Sequence, residues 1–223
     1  MNLIEYSDED MLAIGLANVL VGQLENTLFN NERASFAVPG GTTPGPVFDA
    51  MSGVNLDWSR VHVLPTDERW VPEDHDRSNA RLIRSRLLTD RAAGARFISL
   101  YREGVTPEMA ALVIAEELEA ELPISVLLLG MGGDMHTASL FPGAPGLLEA
   151  LAGDAPAVAV LRPETQPEPR ISLTARALEG AMSKHLVITG AAKREALERA
   201  MRLPPEEAPV QAVLGDITVH WAE

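Results

Sequence analysis

Short apolar runs alternate with longer helical stretches along the chain, and this alternation is typical of a parallel sheet built from βαβ units. The run 124–129, ISVLLL, is too short for a buried helix and has no polar face, so it predicts a central parallel strand. The same reasoning predicts strands at 3–6, 35–38, 61–65, 97–100, 158–161, 185–189 and 217–220.

Helix start signals precede the stretches between these strands. Ser7, followed by acidic residues at 8–10, predicts the cap of a helix that runs to about residue 28. Pro44 predicts a helix after the second strand, and Ser78 caps a helix over 80–88. Pro107 opens a helix that ends before Pro123. Further helices are predicted at 175–182 and 191–201, and loops at 163–169 and 203–209.

No composition shift or internal repeat divides the chain. We therefore predict a single α/β domain over 1–223, with an open, mostly parallel twisted sheet and helices on both faces, in the Rossmann-like manner. A hydrophobic content of 46% is sufficient for a large core, and the 4% aromatic content means that aliphatic side chains must build it.

Charge and cysteine content exclude several classes of function. The 18 basic and 32 acidic residues give a net charge of −14, which argues against a protein that binds nucleic acid or an anionic membrane through a basic face. The chain has no cysteine, which excludes disulfides, thiol catalysis and zinc-thiolate sites. The amino-terminal segment is acidic where a signal peptide is basic, so we expect a cytoplasmic protein without a membrane partner.

Candidate chemistry follows the strands, because ligands of an open parallel sheet bind beyond the carboxyl ends of its strands. After the second predicted strand, Gly40 and Gly41 let backbone amides converge on an anion, and Thr42 and Thr43 add hydroxyl donors at a helix start. The segment is therefore either a phosphate-binding loop or an ordinary turn between a strand and a helix.

Charged side chains follow two further strands. Arg69 has the planar donor set that suits a phosphate or carboxylate, and Asp67 lies at the tip of its strand, although both could form a solvated surface pair. His136 follows a glycine-rich turn and lies two residues after Asp134, which suits proton transfer at neutral pH. An isolated histidine can equally be a packing residue. A metal site is disfavoured because no second ligand recurs nearby at ligand spacing.

The three segments together resemble motifs of the 6-phosphogluconolactonases, which belong to a superfamily with the glucosamine-6-phosphate deaminases. The matching segments are GGTTP at 40–44, DERWVP at 67–72 with SN at 78–79, and LGMGGDMHTASLFP at 129–142. Two further segments, RISLT at 170–174 and TGAAK at 189–193, also match. The order and spacing agree from about residue 34 to the carboxyl end, and HTASLFP is the most specific motif.

The resemblance implies a fold of the sugar-phosphate isomerase type and the hydrolysis of 6-phospho-D-glucono-1,5-lactone to 6-phosphogluconate, with His136 activating water. It implies no metal or organic cofactor, and it leaves a monomer and a homodimer both open; that nucleic acid is not a partner is expected from the net charge. The implied catalytic residues are Asp67, Asp134 and His136, and the implied phosphate-binding residues are Gly40, Gly41, Thr42, Thr43, Arg69, Arg170 and Lys193.

The chain departs from the family pattern at two positions. Met135 stands where the family has glycine before the histidine, and Pro39 stands where it has serine. Glycine at the first position permits positive φ or a close approach of substrate. We expect Gly132 and Gly133 to absorb the change of backbone and the flexible Met135 side chain to turn away from the site.

Alternative functions remain open at this point. One is an isomerase or deaminase of amino-sugar phosphates, although Phe141 stands where those enzymes have glutamate and Arg69 where they tend to have tyrosine. Another is a sugar-phosphate sensor without turnover. Whether Asp67 or Asp134 is the partner of His136 also stays open. For all of these functions, the charge of −14 predicts a small positive pocket on an acidic body.

Overall fold

Ten strands form two sheets in a computed structural model that describes all 223 residues. The strands are β1 (Asn2–Glu5), β2 (Ala34–Val38), β3 (Val61–Pro65), β4 (Asp67–Arg69), β5 (Arg96–Phe97), β6 (Val126–Gly130), β7 (Val158–Leu161), β8 (Arg170–Leu173), β9 (Ser183–Thr189) and β10 (Ile217–Ala222). The larger sheet is entirely parallel, in the order β1-β10-β9-β6-β2-β3-β5. The smaller sheet is antiparallel, in the order β4-β8-β7.

Seven α-helices cover both faces of the parallel sheet and fill two separate cores. The helices are α1 (Glu9–Asn30), α2 (Gly45–Ser52), α3 (Asn79–Arg86), α4 (Pro107–Glu119), α5 (Leu147–Leu151), α6 (Ala175–Glu179) and α7 (Ala191–Ala200). α1, α2 and α3 pack on one face, whereas the other four and the small sheet pack on the opposite face. Along β6, Val126 and Leu128 enter the first core and Leu127 and Leu129 the second, as the two-residue repeat of a strand requires.

The predicted fold class is confirmed, and the strand order shows where a ligand can bind. From β2 the chain continues outward to β3 and β5, whereas from β6 it continues in the other direction to β9 and β10. β2 and β6 are neighbours, so the order reverses between them. A crevice opens at such a switch point beyond the carboxyl ends of the strands. The loops after β2 and β6, which carry two of the three sequence motifs, therefore lie side by side.

The small antiparallel sheet is the largest departure from the sequence-based prediction. The segment 67–69 follows a predicted strand and was not itself predicted as one, but it forms β4 and pairs with β8, which was not predicted as a strand either. The predicted strand at 158–161 is β7, and it joins this sheet rather than the parallel one. α5 was also missed. The boundaries of several elements differ by a few residues because end signals in a sequence are weak.

The cap of α1 is Asp8 rather than Ser7. The Asp8 carboxylate accepts a hydrogen bond of 2.7 Å from the backbone N–H of Met11, and the Ser7 hydroxyl donates to that same carboxylate. α1 is also the one helix with the length and apolar composition to span a membrane, but Leu16, Leu20 and Leu24 are fully buried in the core. Burial of this face is the behaviour of a core helix.

A chain of buried and half-buried polar side chains links α1, β9 and β10 on the side of the sheet away from β5. The Tyr6 hydroxyl lies 2.8 Å from His220 Nδ1, His220 Nε2 lies 2.9 Å from His185 Nδ1, and His185 Nε2 lies 2.7 Å from Gln23 Oε1. If His185 donates to the amide oxygen, each ring accepts at Nδ1 and donates at Nε2. Burial lowers the pKa of both His185 and His220 to about 4, so the two rings are neutral at pH 7.

Candidate active site

A cavity of about 350 Å³ opens at the carboxyl ends of β2, β6 and β9, beside the small sheet. It is the meeting point of segments that are far apart in the sequence. Nine of the ten side chains or backbone positions implied by the family motifs line it: Gly40, Gly41, Thr42, Thr43, Asp67, Arg69, His136, Arg170 and Lys193. The tenth, Asp134, does not line the cavity itself but is hydrogen-bonded to His136, which does.

The loop after β2 forms one wall of the cavity. Gly41 has φ of +88°, a conformation that residues with a side chain rarely adopt. Gly40 is required for a different reason, since a Cβ on it would lie 1.9 Å from Asn79 Oδ1. The loop leads into α2, whose first turn has no side-chain cap. Exposed backbone N–H groups at a helix start favour an anion.

His136 and Asp134 form a hydrogen-bonded pair on the opposite wall. His136 Nδ1 lies 2.5 Å from Asp134 Oδ1, and this hydrogen bond is the main reason why the pKa of Asp134 lies below its ordinary value. An ionised carboxylate accepts only, so Nδ1 carries the hydrogen and Nε2 is left as the basic atom. Asp134 is therefore the carboxylate partner of His136.

Two neighbours restrict the His136 ring further. The Phe141 ring stacks on it with centroids 4.0 Å apart and an interplanar angle of 21°. On another side, a Cβ on Gly132 would lie 2.1 Å from His136 Nδ1 and 2.3 Å from Asp134 Oδ1. The pair can occupy its position only because residue 132 has no side chain.

Met135 itself adopts the left-handed backbone, with φ of +67°. The expectation that Gly132 and Gly133 absorb this conformation was wrong, because neither has a positive φ. The turn is held by a 3.0 Å hydrogen bond from Met135 N–H to the carbonyl of Gly132, and by one of 3.1 Å from Val210 N–H to the carbonyl of Met135. The Met135 side chain packs against the core cluster that contains Val210 and does not line the cavity. The expected turning away of this side chain agrees with that packing.

Asp67 belongs to a different network from His136. Its carboxylate accepts a hydrogen bond of 2.6 Å from the Ser139 hydroxyl and lies 3.9 Å from Arg170 Nη1. The Asn79 side-chain amide donates to its backbone carbonyl at 2.8 Å. Asp67 thus lines the cavity as a buried side chain at the start of β4, and these contacts fix its position.

Three cations converge on the same cavity, and their donors are incompletely used. The Nε atoms of Arg69 and Arg170 are buried without a hydrogen-bond partner. Lys193 Nζ donates to the carbonyl of Met131 at 2.6 Å. Burial is the main cause that lowers the pKa of both Arg170 and Lys193 below their ordinary values. A bound anion would offset the energetic cost of burying these positive charges.

Among the lining residues that were not predicted as part of the site, three have side chains that bear on its chemistry. Asn79 follows the helix cap at Ser78, and its backbone N–H donates to the buried carboxylate of Glu68 at 2.7 Å. Burial raises the pKa of Glu68 above its ordinary value, against the opposing effect of three backbone hydrogen bonds. Phe141 and Gln166 also line the cavity. The SN pair in the sequence was a signal for Asn79, whereas nothing in the loop 163–169 pointed to Gln166.

The cavity can bind an anion at the cations and the glycine loop, and it can support proton transfer at His136. Cations with unused donors and a glycine loop suit a phosphate. A histidine whose Nε2 is free, backed by a carboxylate, suits activation of water. No group of three or more His, Asp or Glu side chains in the chain is arranged to hold a metal ion.

Known proteins similar to this chain were found by sequence and by structure. The family model for glucosamine-6-phosphate isomerases/6-phosphogluconolactonase matches residues 7–221. A 6-phosphogluconolactonase of Pseudomonas aeruginosa is 42% identical over 214 residues, which are 94% of this chain and 90% of the relative. One of Rhizobium meliloti is 40% identical, with 99% and 98% covered. The crystal structure of a 6-phosphogluconolactonase from Shewanella baltica has a TM-score of 0.96 at 33% identity, with 100% and 98% covered.

Proposed function

The chain belongs to the family of glucosamine-6-phosphate isomerases and 6-phosphogluconolactonases, and from that premise we propose that it hydrolyses 6-phospho-D-glucono-1,5-lactone to 6-phosphogluconate in the oxidative pentose phosphate pathway, with His136 as the general base. The observation that carries the proposal is the placement of the His136–Asp134 pair and of three cations around one cavity. We expect the enzyme to act in the cytoplasm.

The phosphate of the substrate binds between the loop 40–43 and the cations Arg69, Arg170 and Lys193. The unpaired Nε atoms of the two arginines supply donors, and the left-handed Gly41 shapes the loop. Binding is local, because the net charge of −14 opposes the approach of a dianion at long range and salt screens that repulsion beyond about 8 Å.

With the phosphate held there, the lactone carbonyl lies toward His136. Nε2 removes a proton from water as the water oxygen attacks the carbonyl carbon, and negative charge develops on the carbonyl oxygen. The tetrahedral intermediate collapses by breaking the bond to the ring oxygen, which receives the proton from the imidazolium. The carboxylic acid that forms then ionises and releases one proton to solvent.

The carboxylates have separate roles in this mechanism. Asp134 keeps the hydrogen of His136 on Nδ1 and stabilises the imidazolium that forms. Asp67, held by Ser139 and near Arg170, is placed to accept hydrogen bonds from sugar hydroxyls. Phe141, stacked on the ring of His136, restricts the rotation of that ring.

The proposal is tested by acid release from freshly generated lactone, corrected for spontaneous opening, with glucosamine 6-phosphate as the alternative substrate. We expect turnover of the lactone only, and a loss of at least about 100-fold in kcat for His136→Ala. Turnover of the amino sugar alone would indicate a deaminase. Tight binding without turnover would indicate a sensor. Full activity of His136→Ala would refute the role of His136 while leaving the substrate assignment intact.

A further inference from the structure

Gln166 is the one neutral side chain that joins two of the arginines beside the cavity. Its Oε1 accepts a hydrogen bond of 2.6 Å from Arg170 Nη2 and one of 3.4 Å from Arg77 Nη2. Guanidinium groups donate only, so these two contacts fix which end of the amide is oxygen. The Nε2 group keeps both hydrogens and has no partner in the protein.

The surroundings of Gln166 are crowded with positive charge. Arg170 is 3% exposed, and among the causes that lower its pKa, after burial, are the charges of Arg69 and Arg77. Asp67 and Glu168 act in the opposite direction. Glu168 lies 2.9 Å from Arg77 Nε, so Arg77 already has a carboxylate partner. The nearest carboxylate to Arg170 is Asp67, at 3.9 Å.

We propose that Gln166 is a positioning residue for phosphate recognition, whose carbonyl orients the Arg170 guanidinium without cancelling its charge. A carboxylate at this position would make a stronger bond to the arginines, but it would also neutralise the charge that attracts the phosphate. An amide oxygen orients the donors of Arg170 and leaves the positive charge of the guanidinium uncompensated. Its two unpaired N–H donors are available to the same anion. This inference rests on the proposed function for the identity of the ligand.

Backbone hydrogen bonds, one within the loop and one from Trp70, hold the loop that carries Gln166 in place. Gln166 N–H donates to the carbonyl of Pro163 at 3.0 Å, and the carbonyl of Pro169 accepts a hydrogen bond of 2.9 Å from Trp70 on the chain that leaves β4. Proline at 163, 167 and 169 restricts the backbone of the loop further. Gln166 is thus presented from an anchored segment, as orientation of Arg170 requires.

Three variants separate orientation from charge. Gln166→Glu keeps the acceptor and adds a negative charge, Gln166→Met keeps the length and removes the acceptor, and Thr165→Glu adds the same charge at the exposed neighbouring position, outside the cavity lining. Calorimetry measures the affinity of each for 6-phosphogluconate and for inorganic phosphate, and steady-state assays give kcat and KM for the lactone. Thermal melting of each variant monitors the fold.

We expect Gln166→Glu to weaken the binding of both anions by at least about tenfold, and Gln166→Met by about three- to tenfold, with the loss in KM rather than in kcat. Thr165→Glu should change affinity less than about twofold, because its charge is solvated. The proposal is overturned if Gln166→Glu binds phosphate like the wild type, if Thr165→Glu weakens it equally, or if Gln166→Met loses kcat and melting temperature together. Wild-type protein that binds both anions without hydrolysing the lactone would refute the proposed function alone.

Discussion

Replacing Gly132 by alanine perturbs the proposed catalytic pair without removing any functional group. The added Cβ would lie 2.1 Å from His136 Nδ1 and 2.3 Å from Asp134 Oδ1, whereas ordinary van der Waals contact begins at 3.4 Å. The backbone of Gly132 does not have a positive φ, so alanine is conformationally allowed there. The substitution therefore acts through contact with the pair.

The distances set the size of the effect. The imidazole or the carboxylate must withdraw by more than about 1 Å, and a misplacement of about 1 Å in catalytic geometry costs on the order of 100-fold in rate. The free energy of unfolding should change little, since replacing glycine typically stabilises by about 0.4–1 kcal/mol through the unfolded state. That gain offsets part of the strain, and the melting temperature should stay within a few degrees.

Gly133→Ala is the matched control, because a Cβ on Gly133 meets no atom within 4 Å and its φ is not positive. We expect Gly133→Ala to retain kcat within about twofold and Gly132→Ala to lose about 100-fold, both measured as acid release above the spontaneous rate. Wild-type kcat in Gly132→Ala would refute the geometric reasoning. An equal loss in Gly133→Ala would refute it as well, since the turn rather than the contact would then be responsible.

Three further substitutions or conditions test other parts of the structure. Met135→Gly removes a left-handed non-glycine backbone that costs about 1 kcal/mol, but it also increases the freedom of the unfolded chain and removes the packing of the Met135 side chain. Because that side chain does not line the cavity, kcat should change less than about threefold. A very large gain in kcat would show that the native site is impaired. Gly40→Ala should displace the Asn79 side chain, 1.9 Å from the added Cβ, and raise KM several-fold; an unchanged KM would separate that loop from binding. His185 and His220 stay neutral in the folded chain down to about pH 4 but take protons near pH 6.5 when unfolded, so acid favours unfolding. Urea titrations should show the free energy of unfolding falling from pH 6.5 to pH 4 by roughly a few kcal/mol in total for the two rings, and an unchanged value would contradict the assignment.

Local signals predicted most of the parallel sheet because the majority of its strands contain a short, largely apolar run, as in β2, β3 and β6. The small antiparallel sheet was not predictable in the same way. β4 is a three-residue charged segment, and only its pairing with β8, about a hundred residues later, makes it a strand. The residues that follow the parallel strands could therefore be expected at one edge of the sheet, whereas the small sheet that supports Asp67, Arg69 and Arg170 depends on tertiary contacts.

The motifs predicted which residues meet in the cavity but not which of them touch. The choice between Asp67 and Asp134 as partner of His136 required the positions of Ser139 and of the turn after β6. Gln166 could not be found because a loop glutamine carries no local signal of a contact with an arginine. The net charge of −14 led to the prediction of a small positive site on an acidic protein, and three cations do line the cavity.

The most direct test of the central claim is a crystal structure with 6-phosphogluconate bound. We expect the phosphate to contact the loop 40–43 and at least two of Arg69, Arg170 and Lys193, and the product carboxylate to lie within hydrogen-bonding distance of His136 Nε2, about 3 Å. A product whose phosphate lies at His136, or one bound outside this cavity, would refute the proposed mechanism.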